Sequence, residues 1–389
     1  MGVAVKIAII NAYVLNNGDA ALSFALYERL RIEGYEVVIS TMNYKNACKI
    51  YPQMPFVKAP YEYSALEHFC MHVRNKLKLP INFEKIFIKW HLLLEKRLHH
   101  LDGVISVGGG YINSYYGVET KLFTAEALRS QNHCPLFMYS QSVGPLFRKD
   151  KTDLERYIGR YQLFMVRDRI SYERCKNYPN VVMTNDSAFL LKPISGKANK
   201  KIVAVSVRSW NADGRNLDWY FQLIEILIRK CMGKGYKIEF ISTCQGEGYS
   251  DHLVAQEIKK RFSVEEQKHI QIDKKTYTLN VLREKLRDYD FIVGTRLHMC
   301  ILGMLSGTPA FNISYEEKGK ECFRYLEMEQ YSIDYNEEIE QAEKLITEFI
   351  KNIENVRKQL PSKMKKAHEE ALAYFSLWKI KMEECCEQN

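Results

Sequence analysis

An arginine and a histidine, two positions apart, directly follow a short apolar strand near the end of the third quarter of the chain. The segment Asp290–His298 contains an apolar run that breaks at Gly294, and Thr295 is a plausible N-cap for the helical pattern that follows. Arg296 and His298 would then lie in the first helical turn, where free backbone N–H groups and the helix dipole favour an anion. Arginine offers a fork to phosphate or carboxylate, and histidine exchanges protons near neutral pH. This junction predicts an anion site with an acid–base group.

A second arginine follows another apolar strand. Residues 203–207 are Val-Ala-Val-Ser-Val, and Arg208 comes next. In open parallel sheets, ligands bind at the carboxyl ends of the strands. We therefore predict that Arg208 faces the same cleft as Arg296 and that the two flank one small dianion. Taken alone, Arg208 is equally consistent with a solvated residue at a strand end.

A polar loop containing Asn17 and Asp19 lies between the first apolar run and the first helical pattern. Two interpretations remain open for this loop. In the first, Asn17 or Asp19 caps the helix. In the second, Asp19 points into the cleft from the first domain and accepts a proton or a sugar hydroxyl.

A run of three glycines, residues 108–110, follows a further strand. The run allows a ligand to approach the backbone closely at Gly109 and Gly110, but a plain tight turn explains it nearly as well. The run is not a GxGxxG motif and therefore does not predict a dinucleotide site. The charged residues at two other strand ends are predicted to be scaffold ion pairs or caps: Arg167, Asp168 and Asp186.

The elements that would position these residues alternate along the chain. Apolar runs of four to seven residues alternate with amphipathic stretches of ten or more, a pattern typical of βα units around a parallel sheet. The predicted strands lie near residues 5–10, 36–39, 103–107, 136–139, 163–166, 202–207, 237–242 and 291–293. The predicted helices include residues 20–31, 120–130, 217–230, 252–262, 297–305 and 364–382.

This pattern predicts an α/β protein with two Rossmann-like domains facing a cleft. Residues 192–201 have the composition of a linker. The expected divisions are residues 1–195 as an N-terminal Rossmann-like domain and 200–350 as a C-terminal Rossmann-like domain. Residues 351–389 form a C-terminal helical segment that is expected to cross back to the first domain.

Composition excludes several classes of protein. The 389 residues include 56 Lys and Arg against 47 Asp and Glu, a modest net charge of +9 without one dense basic stripe, so nucleic acid is not an expected partner. The ten cysteines are scattered and form no CxxC pair, which predicts reduced thiols and no metal site. The N-terminus lacks the pattern of a signal peptide, and no apolar run is long enough to span a bilayer. We therefore expect a cytoplasmic protein. Its oligomeric state does not follow from the sequence.

Residues 66–100 interleave basic and apolar side chains outside the βα alternation. The preferred interpretation is a pair of helices packed on the first domain with solvated lysines. The alternative is a segment on an anionic membrane surface, with Phe87 and Trp90 in the interface.

Seven short motifs, in order from about residue 8 to about residue 315, together resemble the polysaccharide pyruvyltransferase family. They are Asn17-Gly-Asp-Ala-Ala, Gly108-Gly-Gly, Ser142-Val-Gly-Pro, Val166-Arg-Asp-Arg-Ile-Ser, Asp186-Ser-Ala-Phe, Ser206-Val-Arg and Gly294-Thr-Arg-Leu-His. The resemblance implies a GT-B-like fold and transfer of pyruvate from phosphoenolpyruvate to a sugar diol as a cyclic ketal. It implies phosphoenolpyruvate as donor substrate and no cofactor.

On that analogy, Arg208, Arg296 and the Leu297 backbone, beside Thr295, would hold the donor, and His298 would be the catalytic acid. Asp19 is a hypothetical base for one sugar hydroxyl, and Asn17, Gly109 and Gly110 are candidate acceptor contacts. Residues 1–195 would then form the acceptor side and residues 200–350 the donor side. The acceptor stays open among capsular, exopolysaccharide and cell-wall precursors, which are usually built on lipid carriers at the inner face of the cytoplasmic membrane. Two alternatives also stay open: a GT-B glycosyltransferase whose helix turn cradles a nucleotide-sugar diphosphate, and a non-catalytic scaffold for polysaccharide assembly.

Overall fold

The computed structural model describes residues 5–196, 200–210, 214–244 and 251–387. They fall into two compact units, here called unit 1 and unit 2. Unit 1 comprises the described residues of Met1–Leu15, Asp19–Leu190 and Ala371–Asn389. Unit 2 comprises Asn16–Gly18 and the described residues of Leu191–Glu370. The predicted linker 192–201 belongs to unit 2, and its residues 197–199 lie outside the described residues.

Unit 1 is built on a seven-stranded parallel sheet with strand order β3-β2-β1-β4-β5-β6-β7, the Rossmann order with one added strand. Its strands are β1 (Lys6–Ala12), β2 (Glu36–Thr41), β3 (Phe56–Lys58), β4 (Gly103–Val107), β5 (Leu136–Gln141), β6 (Leu163–Val166) and β7 (Val181–Met183). The central strands are buried along their whole length because helices cover both faces of a parallel sheet.

Seven helices accompany this sheet. They are α1 (Asn17–Ile32), α2 (Tyr44–Ile50), α3 (Ala65–Leu77), α4 (Phe83–Leu94), α5 (Glu119–Asn132), α6 (Arg148–Ile158) and α7 (Arg169–Cys175). The helices α3 and α4 occupy the segment for which a helix pair is the preferred interpretation. Ile88 and Leu92 of α4 join the core, whereas α3 buries none of its residues.

Unit 2 repeats the architecture with a six-stranded parallel sheet of order β10-β9-β8-β11-β12-β13. Its strands are β8 (Ile202–Ser206), β9 (Lys237–Phe240), β10 (Ile270–Ile272), β11 (Phe291–Gly294), β12 (Ala310–Ser314) and β13 (Ser332–Asp334). Its helices are α8 (Leu217–Gly233), α9 (Asp251–Lys259), α10 (Val264–Gln267), α11 (Leu279–Leu286), α12 (Leu297–Leu305), α13 (Glu317–Tyr325) and α14 (Ile339–Lys351).

The last helix, α15 (Ile353–Glu387), begins in unit 2 and ends in unit 1. Trp378 near its end is fully buried and meets Phe137 edge-on at 5.7 Å and Tyr35 at 5.8 Å between ring centroids. Lys379 Nζ lies 2.6 Å from a carboxylate oxygen of Glu33. The predicted return of the C-terminal helix to the first domain is therefore confirmed.

All eight predicted strands are present, and β4 and β6 have the predicted bounds. Five strands of the structure were not predicted from the sequence: β3, β7, β10, β12 and β13. Four of them have three residues, too few for a periodic pattern to appear. The fifth, β12, has a polar Asn312 in the middle of a fully buried strand.

Candidate functional site

The helix α12 begins one residue later than its predicted cap suggests. Arg296 occupies the cap position, and its side chain makes no capping hydrogen bond. Thr295 is therefore not the N-cap. Its buried hydroxyl is instead 2.7 Å from the Tyr220 hydroxyl, and its N–H donates to the Ser206 carbonyl at 2.7 Å. His298 is the second residue of α12 and lies in the first helical turn, as predicted.

The Arg296 guanidinium is buried and held by a carboxylate. Its Nε and Nη2 donate to the two oxygens of Asp251 at 3.1 and 2.7 Å, and the residue is 8% exposed. Burial alone would lower the pKa of Arg296, but the neighbouring Cys244 and Asp251 raise it above its usual value. Because Asp251 accepts from Nε and Nη2, Nη1 of Arg296 is, within the described residues, the nitrogen available to a further partner. Sequence reasoning missed Asp251 because no motif surrounds it.

Arg208 is held by aromatic residues at the end of β8. The centre of its guanidinium lies 4.8 Å from the Trp210 ring and 4.6 Å from the Tyr315 ring, and Nη1 donates to the Tyr315 hydroxyl. Its N–H donates to the Tyr220 hydroxyl at 3.3 Å, and its carbonyl accepts from the Tyr335 hydroxyl at 3.3 Å. The rings of Tyr220 and Tyr335 are stacked at 4.0 Å. These contacts hold both the backbone and the guanidinium of Arg208 against aromatic residues of unit 2.

Tyr315 lies within electrostatic reach of both arginines. Burial raises the pKa of the Tyr315 phenol, whereas the charge on Lys318 lowers it. The charges on Arg208 and Arg296 also lower this pKa. Arg208 thus contacts Tyr315, and Arg296 of the same unit acts on it electrostatically. Tyr315 follows the missed strand β12, so predicting that strand would have identified it.

The segment Asn16–Gly18 lies in unit 2, against the His298 ring. A Cβ atom at Gly18 would lie 2.7 Å from His298 Nδ1, so only glycine lets the imidazole take this position. Asn17 is fully buried, and its amide donates to the Tyr277 carbonyl at 3.1 Å. Its N–H donates to the Thr243 carbonyl at 2.8 Å. At the start of α1, Gly18 N–H donates to the Asn16 side chain at 3.0 Å, so Asn16, rather than Asn17 or Asp19, is the capping residue.

Asp19 and the glycine run lie in unit 1. A Cβ atom at Gly109 would be 4.0 Å from an Asp19 carboxylate oxygen, and Asp19 is half-buried. A Cβ atom at Gly108 would meet the Ser140 carbonyl at 1.9 Å, which explains the glycine there by strand packing alone. Gly110 is half-exposed. The predicted donor-side residues thus lie in unit 2, whereas Asp19 and the two candidate glycines lie in unit 1.

The charged residues after β6 and β7 form a buried network, as predicted. Arg167 and Asp186 are paired at 2.7 Å with side chains only 3% and 5% exposed. Arg167 Nε also donates to the Ser142 hydroxyl at 2.8 Å, and this hydroxyl donates to Asp168 at 2.7 Å. Asp168 caps α7 by accepting from the Ser171 N–H at 2.8 Å. These residues join the ends of β5 and β6.

No group of three or more His, Cys, Asp or Glu side chains in the described ranges could hold a metal ion. In the same ranges, none of the helices combines the length and apolar character needed to cross a membrane. All ten cysteines are free thiols.

The two parallel α/β sheets define a two-domain Rossmann-like protein of the GT-B fold, and solved structures support this class. The trehalose-6-phosphate synthase of Burkholderia multivorans is 11% identical, with all of both chains covered and a TM-score of 0.59. The UDP-GlcNAc 2-epimerase of Neisseria meningitidis is 10% identical, with 96% of this chain and 100% of the other covered and a TM-score of 0.55. At these identities the similarity shows the fold alone.

The family follows from the sequence comparisons. A model of the polysaccharide pyruvyl transferases matches residues 16–317, and the chain belongs to that family. The amylovoran biosynthesis protein AmsJ of Erwinia amylovora is 25% identical over 264 residues, which are 61% of this chain and 62% of AmsJ. The chain thus spans about three fifths of the length of this relative.

Proposed function

We propose that this protein transfers pyruvate from phosphoenolpyruvate to a sugar diol of a polysaccharide or lipid-linked oligosaccharide precursor, forming a cyclic ketal and releasing phosphate. The observation that carries the proposal is the contact of Arg208 with Tyr315, a residue of unit 2 whose pKa the charges on both Arg208 and Arg296 lower. His298, in the first turn of α12, supplies a group of the required acid–base type in the same unit. Membership of the polysaccharide pyruvyl transferase family supports the reaction class.

The donor chemistry suits these residues. Phosphoenolpyruvate carries a carboxylate and a phosphate, and each group accepts paired hydrogen bonds from a guanidinium. Arg296, fixed by Asp251, would offer Nη1, and Arg208 is already fixed on Tyr315. The start of α12, with the Leu297 N–H beside Thr295, adds the positive end of a helix dipole. Arginine charge can stabilise the departing phosphate without a metal or other cofactor.

The reaction then requires one proton donor and one acceptor. His298 would protonate the methylene carbon of the donor, which gives C2 oxocarbenium character. One sugar hydroxyl attacks C2, the C–O bond to phosphate breaks, and the second hydroxyl closes the ketal. Of the two hydroxyl protons released, one replaces the proton that His298 gave to the methylene carbon, and the other leaves with the phosphate. Asp19, the half-buried carboxylate of unit 1, would accept one of these protons. Gly109 beside it, together with Gly110 and Asn17, would contribute acceptor contacts.

Phosphate release with an accepted sugar tests this assignment. His298→Ala is expected to lower kcat by about 10²–10⁴-fold, the usual contribution of general acid catalysis. Arg296→Ala is expected to raise KM for phosphoenolpyruvate and lower kcat. His269→Ala, at an exposed position in unit 2, is the matched control. Near-normal phosphate release by His298→Ala or Arg296→Ala, both still folded by circular dichroism, would exclude the mechanism.

Calorimetry separates this proposal from the two alternatives. Binding of phosphoenolpyruvate that Arg208→Ala weakens supports the pyruvyl donor. Tight UDP or GDP binding without a response to phosphoenolpyruvate would favour a glycosyltransferase. An assembly complex that persists with the triple alanine variant of Arg208, Arg296 and His298, when the wild type shows no turnover, would favour a scaffold.

The acceptor side of the proposal rests on the relatives. The name of AmsJ refers to amylovoran biosynthesis, and we propose that the present protein likewise acts on a capsular or exopolysaccharide precursor. We further propose that it works in the cytoplasm as a peripheral protein at the inner membrane face, where lipid-linked precursors are accessible.

A further inference from the structure

Exposed apolar side chains are concentrated on one helix pair of unit 1. Eight of the seventeen large apolar side chains that are exposed among the described residues lie between residues 66 and 94. We call them the α3–α4 surface: Leu66, Phe69, Leu77, Ile81, Ile86, Trp90, Leu93 and Leu94. Patches of this kind on a folded domain mark sites that contact a partner or a membrane.

These side chains are exposed because both helices carry apolar residues on the side that faces solvent. In α4, Ile88 and Leu92 face the core, while Ile86, Trp90 and Leu93 recur at three- and four-residue spacing on the solvent side. Leu66 and Phe69 are 71% and 62% exposed on α3, which buries no residue. A five-residue connection joins the two helices. The outward apolar positions are therefore not needed for folding of unit 1.

The charged side chains that this helix pair exposes to solvent are positive. Four lysines are exposed: Lys76, Lys78, Lys89 and Lys96. The acidic residues are half-buried and engaged within the protein. Glu67 pairs with His91 at 2.7 Å, Glu95 pairs with Arg97 at 2.9 Å, and Glu84 accepts from Thr120 at 2.6 Å. The exposed part of this helix pair thus combines apolar side chains with lysines.

We infer that the α3–α4 surface docks on an anionic lipid surface. Apolar side chains enter the boundary between headgroups and acyl chains, and the lysines contact the anionic headgroups. A tryptophan in this position suits the interface because its ring has an apolar body and a polar N–H. A second copy of the chain fits less well, since it would place like charges against each other. The inference goes beyond the transfer reaction and does not depend on the donor.

Vesicle sedimentation of the full chain tests the charge requirement. The wild type is expected to bind vesicles of phosphatidylglycerol and phosphatidylcholine, but not vesicles of phosphatidylcholine alone. Near the surface, each lysine removed should weaken partitioning by about fivefold, so the triple change of Lys76, Lys78 and Lys89 to Gln should weaken it by about a hundredfold. The matched control changes three exposed lysines elsewhere: Lys260, Lys268 and Lys365.

Tryptophan fluorescence tests the insertion. Trp90 is 56% exposed, whereas Trp210 and Trp378 are buried, so brominated lipid should quench Trp90 and the quenching should be lost in Trp90→Phe. Equal binding to both vesicle types, no quenching, or no difference between the two lysine triples would overturn the proposal. Self-association without lipid that the α3–α4 changes abolish would identify a second copy as the partner instead. No phosphoenolpyruvate or sugar is present, so failure here leaves the proposed reaction standing.

Discussion

The imidazole of His298 lies against a residue that has no side chain. Gly18 is in contact with the ring, and a Cβ atom there would lie 2.7 Å from both Cβ and Nδ1. The identity of residue 18 therefore controls the position of the proposed acid without taking part in the chemistry. Asp19, the proposed base, is the next residue along the chain.

Gly18→Ala is predicted to lower kcat for phosphate release by about a hundredfold, because displacing a reacting group by about 1 Å costs that much. The affinity for phosphoenolpyruvate, measured by calorimetry, should change little, since the three atoms nearest to a Cβ at Gly18 all belong to His298. Gly233→Ala is the control, because a Cβ atom there meets nothing within 4 Å. Unchanged turnover in a folded Gly18→Ala variant would contradict the placement of His298.

At the scale of elements, a buried polar network joins the segments that follow β5, β6 and β7. The Arg167 guanidinium contacts Asp186 and Ser142, and Ser142 contacts the cap residue Asp168. The charged residues that the sequence places at strand ends thus meet one another, because parallel strands end at the same edge of the sheet.

Asp186→Ala is predicted to destabilise unit 1 by about 3–5 kcal/mol, because it leaves the buried Arg167 charge without its carboxylate. The double variant Arg167→Met, Asp186→Ala should recover part of this loss, since no unpaired charge remains. Urea unfolding followed by circular dichroism measures both. A single variant as stable as the wild type would show that the pair contributes little to folding.

Element prediction failed where elements are short. The strand periodicity that identifies β1 or β8 needs more residues than the three in β3, β7, β10 and β13. Because β12 was not predicted, Tyr315, which follows it directly, was not identified as a site residue. The predicted bounds 297–305 match α12, but its N-cap was predicted one residue too early, at Thr295. The Thr295 hydroxyl bonds instead to Tyr220, a residue of another helix.

At the scale of the whole molecule, α15 belongs to both units along its length. In unit 1, its end is held by the buried Trp378 and by the pair of Lys379 with Glu33. Hydrogen bonding to Lys379, together with the charge on Arg29, holds the pKa of Glu33 below its usual value despite partial burial.

Because the folded-state pKa of Glu33 is depressed, its pairing stabilises the protein above the unfolded pKa, about 4.5, and the contribution is lost as the pH falls through the lower folded value. Lys379→Met is therefore predicted to lower Tm slightly at pH 7, and the difference from the wild type should shrink below pH 4.5. Lys381→Met is the control, because Lys381 pairs with Glu384 within the same helix. A Tm difference that grows with acidity would contradict the assignment.

The sequence by itself determined the α/β alternation, the two sheets, the arginines at strand ends and the first-turn position of His298. These features depend on neighbours a few residues away, so local patterns specify them. The tertiary structure alone decided the partners of the candidate residues. Asp251 is 45 positions from Arg296, and Tyr315 is 107 positions from Arg208. Ion pairs and ring contacts form between elements that only packing brings together, so no local sequence pattern predicts them.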